Sequence, residues 1–194
     1  KEIDVSKAVH LMGGISRAAN IGDDPNFGTN DPERLPRPTG ESELLYEARP
    51  RENRKGVQGL LGWLDIMDDG SRRIRRIWPA LSGSRTLMPI LNANDWQVSN
   101  HLYTRDGNGY VRDGVGFSFA ITPDPRFGRS DLRIHPDGGD TGTAGCIGLT
   151  CNAAELIAFR DMAYNYLQIH GNMNLTVTGS YTSLEGVIIR YGRR

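Results

Sequence analysis

Short runs of hydrophobic residues, some alternating with polar positions, divide the middle of the chain into predicted strands and turns. Residues 60–67 are mostly apolar and lead into Asp68-Asp69-Gly70, which is typical of a tight turn. The return strand should cover residues 72–78 and end at Pro79, because proline cannot donate a hydrogen bond to a sheet. Further strands are predicted at residues 96–103, 109–111, 115–121, 175–178 and 187–191.

The apolar spacing changes to that of a helix after Asn152. Asn152 followed by Glu155 resembles a capping box, and Gly171 marks the expected end of the helix. Between them, one predicted helical face carries Leu156, Phe159, Met162, Ala163, Tyr166 and Leu167. The sequence therefore predicts a mainly β protein with one long helix.

The first part of the chain has a different composition. Residues 5–19 show a short helical pattern that Gly13-Gly14 interrupts, and residues 22–56 are dense in proline and charge. We interpret residues 1–56 as an N-terminal arm with a short helix and a flexible linker. Residues 57–194 are then predicted to form the compact β domain.

Length and charge limit the classes of function. With 194 residues, 38% of them hydrophobic, the chain can bury one core, and 23 basic residues balance 23 acidic ones. This balance argues against nucleic acid as a partner, so we interpret the arginines at 72–76 as a solvated strand face. No apolar stretch predicts membrane insertion, and the first residues do not resemble a secretory signal. We therefore expect a trimmed form or export by another route.

Two cysteines are too few and too close in sequence to cross-link a fold of this size. Cys146 follows His135 by eleven positions, through a polar loop rich in glycine. A loop of this length can return beside the strand that it left, and an imidazole can then activate the thiol as a thiolate–imidazolium pair. Either residue alone is more often a core or turn residue, and Cys151 is interpreted as structural.

Gly145 directly precedes Cys146 and lets consecutive backbone N–H groups turn toward one point. Such an arrangement stabilises the oxyanion that develops during acyl transfer. The sequence thus offers a nucleophile, a base and an oxyanion site in one segment, namely Cys146, His135 and Gly145.

The segment from His135 to Thr143-Ala144-Gly145-Cys146-Ile147 resembles the signature of the L,D-transpeptidase (YkuD-type) family. Its short spacing and its Ile134-His135-Pro136-Asp137 start are most similar to the compact L,D-transpeptidase-like effectors of bacterial type VI secretion. The detailed similarity covers about 20 residues and loosely extends from residue 60 to the C-terminus. It implies a β-sandwich-like catalytic domain over residues 57–194.

The resemblance also implies roles. Cys146 would attack the carbonyl between the third and fourth residues of a peptidoglycan stem peptide, with His135 as the base and a backbone carbonyl near Thr143 or Ala144 orienting the imidazole. Two positions depart from the family pattern, because Ala144 replaces a common polar residue and Gly148 replaces a common arginine. The expected substrate-binding residues are Arg133, Asp137, Thr143 and Ala144, with Arg126 as another source of a guanidinium.

The expected activity is therefore transpeptidation, D-amino-acid exchange or L,D-carboxypeptidation on stem peptides, without a metal or cofactor. The expected location is the periplasm or cell wall of the protein's own cell or of a target bacterium. If the protein is an antibacterial toxin, an immunity or delivery protein is a further expected partner. Alternatives are a non-catalytic wall-binding β module, a phage-type cysteine peptidoglycan peptidase, and a zinc peptidase using His135, Asp137 and either His101 or His170.

Overall fold

A computed structural model describes residues 35–53, 56–83, 88–122, 130–139, 143 and 145–179. The predicted class, mainly β with one helix, is confirmed within these residues. The strands are β1 (Pro38–Asn53), β2 (Gly56–Met67), β3 (Arg72–Ser82), β4 (Ala93–Thr104), β5 (Val111–Arg112), β6 (Val115–Thr122), β7 (Arg133–Pro136), β8 (Ile147–Leu149) and β9 (Asn172–Thr178). The helix, α1, is Ala153–His170.

The strands form one sheet in the order β4-β9-β1-β2-β3-β8-β7-β6-β5. A further pairing of β4 with β6 closes the sheet on itself, so the architecture is barrel-like. Closure removes exposed strand edges, where unpaired N–H and C=O groups would otherwise invite association. Two of the pairings are parallel, β1 with β9 and β7 with β8.

The predicted hairpin is present, but its second strand is longer than expected. Gly70 has φ 78°, as the turn between β2 and β3 requires. β3 continues through Pro79 to Ser82, so the prediction that it ends at Pro79 is wrong. Proline removes only a donor, and the Pro79 carbonyl still accepts a hydrogen bond from the Thr150 N–H. The predicted strand at 109–111 is reduced to the two residues of β5.

The expectation of an irregular arm up to residue 56 is wrong for residues 38–53, which form β1. This strand pairs with β2 on one side and β9 on the other. Leu44, Tyr46 and Ala48 alternate inward and are buried, and this period-two pattern outweighs the nearby prolines. Pro50 lies where the register with β2 shifts, between Ala48 and Glu52. The predicted helix at 5–19 and strand at 187–191 lie outside the described residues.

Helix α1 follows the predicted pattern closely. The Asn152 side chain accepts a hydrogen bond from the Glu155 N–H, and Gly171 ends the helix with φ 78°. Phe159 packs edge-on against Trp78, with their ring centroids 5.0 Å apart, and lies against Phe117 and Phe119. No helix among the described residues is long and apolar enough to cross a membrane.

The four arginines at 72–76 are all held by carboxylates. Arg73 and Arg75 both contact Asp65, whose side chain is buried beneath them. Arg72 pairs with Glu43, and Arg76 pairs with Glu155 at the start of α1. These ion pairs fit the interpretation of a solvated strand face.

Candidate functional site

The parallel pairing of β7 with β8 brings the two ends of the glycine-rich loop together. Ile134 pairs with Ile147, and His135 pairs with Gly148. Ile134 and Ile147 both point into the core. Because side chains alternate along a strand, His135 points to the opposite face, and Cys146, one residue before β8, begins on that same face. The parallel pairing therefore places the imidazole and the thiol on neighbouring strands and on one face of the sheet, offset by two residues in register.

His135 is held in one tautomer. Its ring is 4% exposed, and Nδ1 lies 2.7 Å from the Pro136 carbonyl oxygen. A carbonyl only accepts hydrogen bonds, so Nδ1 must carry the proton and Nε2 keeps its lone pair. The carbonyl that holds the imidazole is thus that of Pro136, where we expected one near Thr143 or Ala144.

The pKa of His135 is lowered to about 4, chiefly by burial; the Pro136 hydrogen bond opposes this shift, and the nearby Arg105 and Arg133 guanidiniums add to it. Burial thus favours the neutral imidazole at neutral pH. The thiolate–imidazolium pair expected from the sequence stays a prediction.

Cys146 lies on a turn that several backbone contacts fix. Gly145 has φ 92°, a conformation that suits glycine. The Thr143 hydroxyl donates to the Cys146 carbonyl over 2.6 Å and accepts from the Gly83 N–H over 2.9 Å. The Cys146 thiol is 7% exposed, with its sulfur 3.8 Å from the Asp131 carbonyl oxygen. Thr143 thus anchors the nucleophile's turn to the end of β3; as a substrate-binding residue it stays a prediction.

Gly148 lies where a side chain has little room. A Cβ atom at this position would lie 2.9 Å from Cγ2 of Thr143 and 3.0 Å from Cβ of Asp137. Both distances are too short for ordinary carbon contacts. A side chain at this position would therefore require Thr143 or Asp137 to move.

Arg112 connects the two ends of the site and was not singled out from the sequence. Its Nε donates to the Cys151 carbonyl over 3.1 Å, and its Nη1 donates to the Asp137 carbonyl over 3.2 Å. The Asp137 N–H in turn donates to the Leu149 carbonyl. The Arg112 side chain therefore links the backbone at Asp137, after β7, to the backbone at Cys151, after β8.

A cluster of cations and aromatic rings surrounds the imidazole. The Tyr110 ring lies 4.6 Å from the His135 ring, and the Arg105 guanidinium lies 5.1 Å from the Tyr110 centroid. Arg105 is also 5.1 Å from the Tyr103 centroid, and Arg133 is 5.5 Å from it. Arg105 and the two tyrosines were missed from the sequence because only the closure of the sheet brings them beside β7.

The remaining predicted positions divide into two groups. Arg133 and Asp137 are close to His135 as expected, since they are its second neighbours along the chain, and Asp137 is buried. Ala144 and Arg126 lie outside the described residues.

The two cysteines are both thiols, and burial raises the pKa of Cys151 to about 11. The described residues contain no group of three His, Cys, Asp or Glu side chains placed to hold a metal ion.

Comparison with protein-family models, with curated proteins and with solved structures finds no match to this chain.

Proposed function

We propose that this protein is a cysteine enzyme that transfers acyl groups on peptidoglycan stem peptides, as an L,D-transpeptidase or L,D-carboxypeptidase. The main support is the β7–β8 pairing, which brings a tautomer-fixed imidazole and a glycine-preceded thiol to one face of the sheet. The stem peptide is proposed from the motif around His135 and Cys146. The chemistry of the pair supports acyl transfer in general.

In the proposed reaction, the Cys146 thiol turns from the Asp131 carbonyl toward Nε2 of His135. Nε2 accepts the proton as sulfur attacks the carbonyl between the third and fourth residues of the stem peptide. The tetrahedral intermediate then expels the amine of D-Ala, which takes the proton from His135. An incoming amine or water releases the acyl group from Cys146 and completes the cycle.

The proposed oxyanion site consists of the backbone N–H groups of Gly145 and Cys146. Gly145 has φ 92°, in the left-handed region, so the backbone turns between the Gly145 and Cys146 N–H groups, directly before the nucleophile. A donor that is already oriented stabilises developing negative charge without reorganising, and one such donor is typically worth about 3 kcal/mol. The Thr143 contacts to Cys146 and Gly83 support this orientation.

The test is incubation of the protein with purified tetrapeptide muropeptides, with mass spectrometry of the products. We expect release of D-Ala, or its exchange for an added D-amino acid. Cys146→Ala should abolish the product, and Cys151→Ala is the matched control because Cys151 is a buried thiol that packs in the hydrophobic core. Thermal unfolding of each variant checks that its fold is kept.

Absence of any Cys146-dependent product from the folded protein would contradict the proposed activity. Cosedimentation with isolated cell walls, unchanged by Cys146→Ala and without turnover, would instead identify a wall-binding module. Wild type and Cys146→Ala, assayed on the same preparation of cell wall, distinguish the enzyme from the binding module.

The proposed place of action is the periplasm or wall, where stem peptides are found. Directing the protein to the periplasm of a Gram-negative host should impair growth if it acts there as a toxin, whereas cytoplasmic expression should not. Periplasmic Cys146→Ala is the control. Equal growth with the active and inactive proteins would argue against an antibacterial role without affecting the proposed chemistry.

A further inference from the structure

Two guanidiniums lie beside the imidazole on the face of the sheet opposite the core. Arg133 is two residues before His135 on β7, so the two side chains share a face. Arg105 reaches the same place from the end of β4, where its N–H donates to the Gly116 carbonyl over 3.2 Å. The cluster therefore comes from two separate parts of the chain.

Neighbouring side chains hold Arg105 in position. Its Nε donates to the Ser118 hydroxyl over 2.9 Å, and its guanidinium carbon lies over the Tyr103 and Tyr110 rings, 5.1 Å from each centroid. The backbone beneath is closely packed, since a Cβ on Gly116 would lie 1.9 Å from the Arg105 carbonyl oxygen. A guanidinium held in this way loses little conformational entropy when it binds a ligand.

Among the described residues, the ion pair recorded for the two arginines is a weak one. Asp131 lies 3.6 Å from Arg133, but its own side chain is 85% exposed, so solvent screens the pair. Arg105 forms no ion pair with any described carboxylate; its polar partner there is the Ser118 hydroxyl. Tyr103 is 44% exposed, which leaves this side of the cluster open to solvent.

We propose that Arg105 and Arg133 form a subsite for a carboxylate that the substrate carries next to its reacting carbonyl. This inference rests on the proposed function, and it adds the residues that select the substrate. In the stem peptide, the carboxylate is that of the terminal D-Ala, one residue from the bond that Cys146 attacks. The planar fork of a guanidinium matches a carboxylate through two parallel hydrogen bonds.

The proposed subsite also supplies a guanidinium, which the motif around His135 and Cys146 lacks. The family's usual arginine position is Gly148, which the packing of Thr143 and Asp137 keeps free of a side chain. Arg105 and Arg133 provide guanidiniums on the same face from β4 and β7. The two guanidiniums would therefore contact a bound substrate from the His135 side of the site.

The experiment measures binding of N-acetyl-D-alanine and of its uncharged amide to the full chain, by calorimetry and by the NMR shift of the His135 imidazole. We expect the acid to bind and to shift the imidazole signal, and the amide to bind at least about tenfold more weakly. Arg105→Gln and Arg133→Gln should each weaken binding of the acid about tenfold. Arg105→Lys should restore part of it, since it keeps the charge and loses the fork.

Arg160→Gln is the matched control, because this half-buried arginine on α1 forms its hydrogen bond and ion pair among the described residues with its neighbour Asp161. Thermal unfolding confirms that each variant is folded. Equal binding of acid and amide, no binding of the acid up to its solubility limit, or wild-type binding by both glutamine variants would each overturn the inference.

Muropeptide turnover separates this inference from the proposed function. Turnover that depends on Cys146 but has an unchanged KM in Arg105→Gln and Arg133→Gln would contradict the subsite and support the proposed activity. Arginine-dependent binding of N-acetyl-D-alanine without turnover of any muropeptide would keep the subsite and remove the proposed reaction.

Discussion

Acid should destabilise this protein through His135 in particular. Its pKa is lowered to about 4 in the folded state, chiefly by burial, against an ordinary value of 6.5. Between these two values the unfolded chain binds a proton that the folded protein does not, so the free energy of unfolding falls as pH falls. Linkage with these two pKa values gives a loss of about 2 kcal/mol between pH 7 and pH 5, and about 3 kcal/mol once the pH is below both.

Urea denaturation at pH 7, 6 and 5 measures this loss directly. Carboxylates also titrate in acid, so the informative quantity is the difference between wild type and His135→Asn, which does not titrate and keeps a side-chain donor for the Pro136 carbonyl. The variant should lose about 2 kcal/mol less than wild type between pH 7 and pH 5. Identical pH dependence in the two proteins would refute the assignment of a buried, neutral imidazole.

Three further predictions test the support around the site. Gly148→Ala should cost about 1–3 kcal/mol of unfolding free energy in thermal or chemical denaturation, because its Cβ meets Thr143 and the Asp137 Cβ; an unchanged midpoint would contradict this packing. Arg112→Gln should cost about 1–3 kcal/mol in the same assay and raise hydrogen exchange around Asp137, because two carbonyls lose their donor. A substoichiometric thiol alkylator should label Cys146 before Cys151, whose pKa is raised to about 11, as peptide mass spectrometry would show.

The sequence predicted those parts of the fold that depend on local patterning. Helix α1 was predicted closely because its cap, apolar face and terminal glycine all lie within one segment. The β2–β3 turn was predicted for the same reason. β1 was not predicted, because its prolines indicate an irregular segment. The alternation of Leu44, Tyr46 and Ala48 indicates a strand, but the burial of these residues depends on β2 and β9. Local composition carries no information about those distant partners.

The same distinction applies to the candidate site. His135, Gly145 and Cys146 could be singled out because eleven positions of one loop connect the imidazole to the thiol. Arg105, Tyr110 and Arg112 lie in another segment, and no local pattern marks them as neighbours of β7. Their proximity follows from the β4–β6 and β6–β7 pairings. The pKa of His135 was likewise inaccessible, because it depends on burial and on charges that the closed sheet brings together.

The two guanidiniums have opposite effects on the two members of the proposed catalytic pair. They disfavour a proton on His135, and by the same Coulomb interaction they favour negative charge on sulfur or on the developing oxyanion. Because these two effects have opposite signs, they offset one another when a proton moves from Cys146 to His135, and burial, the largest cause of the lowered His135 pKa, opposes the transfer. A substrate carboxylate bound between Arg105 and Arg133 cancels both effects together. The arginines are therefore expected to govern which substrate binds, with little influence on the intrinsic ease of the proton transfer.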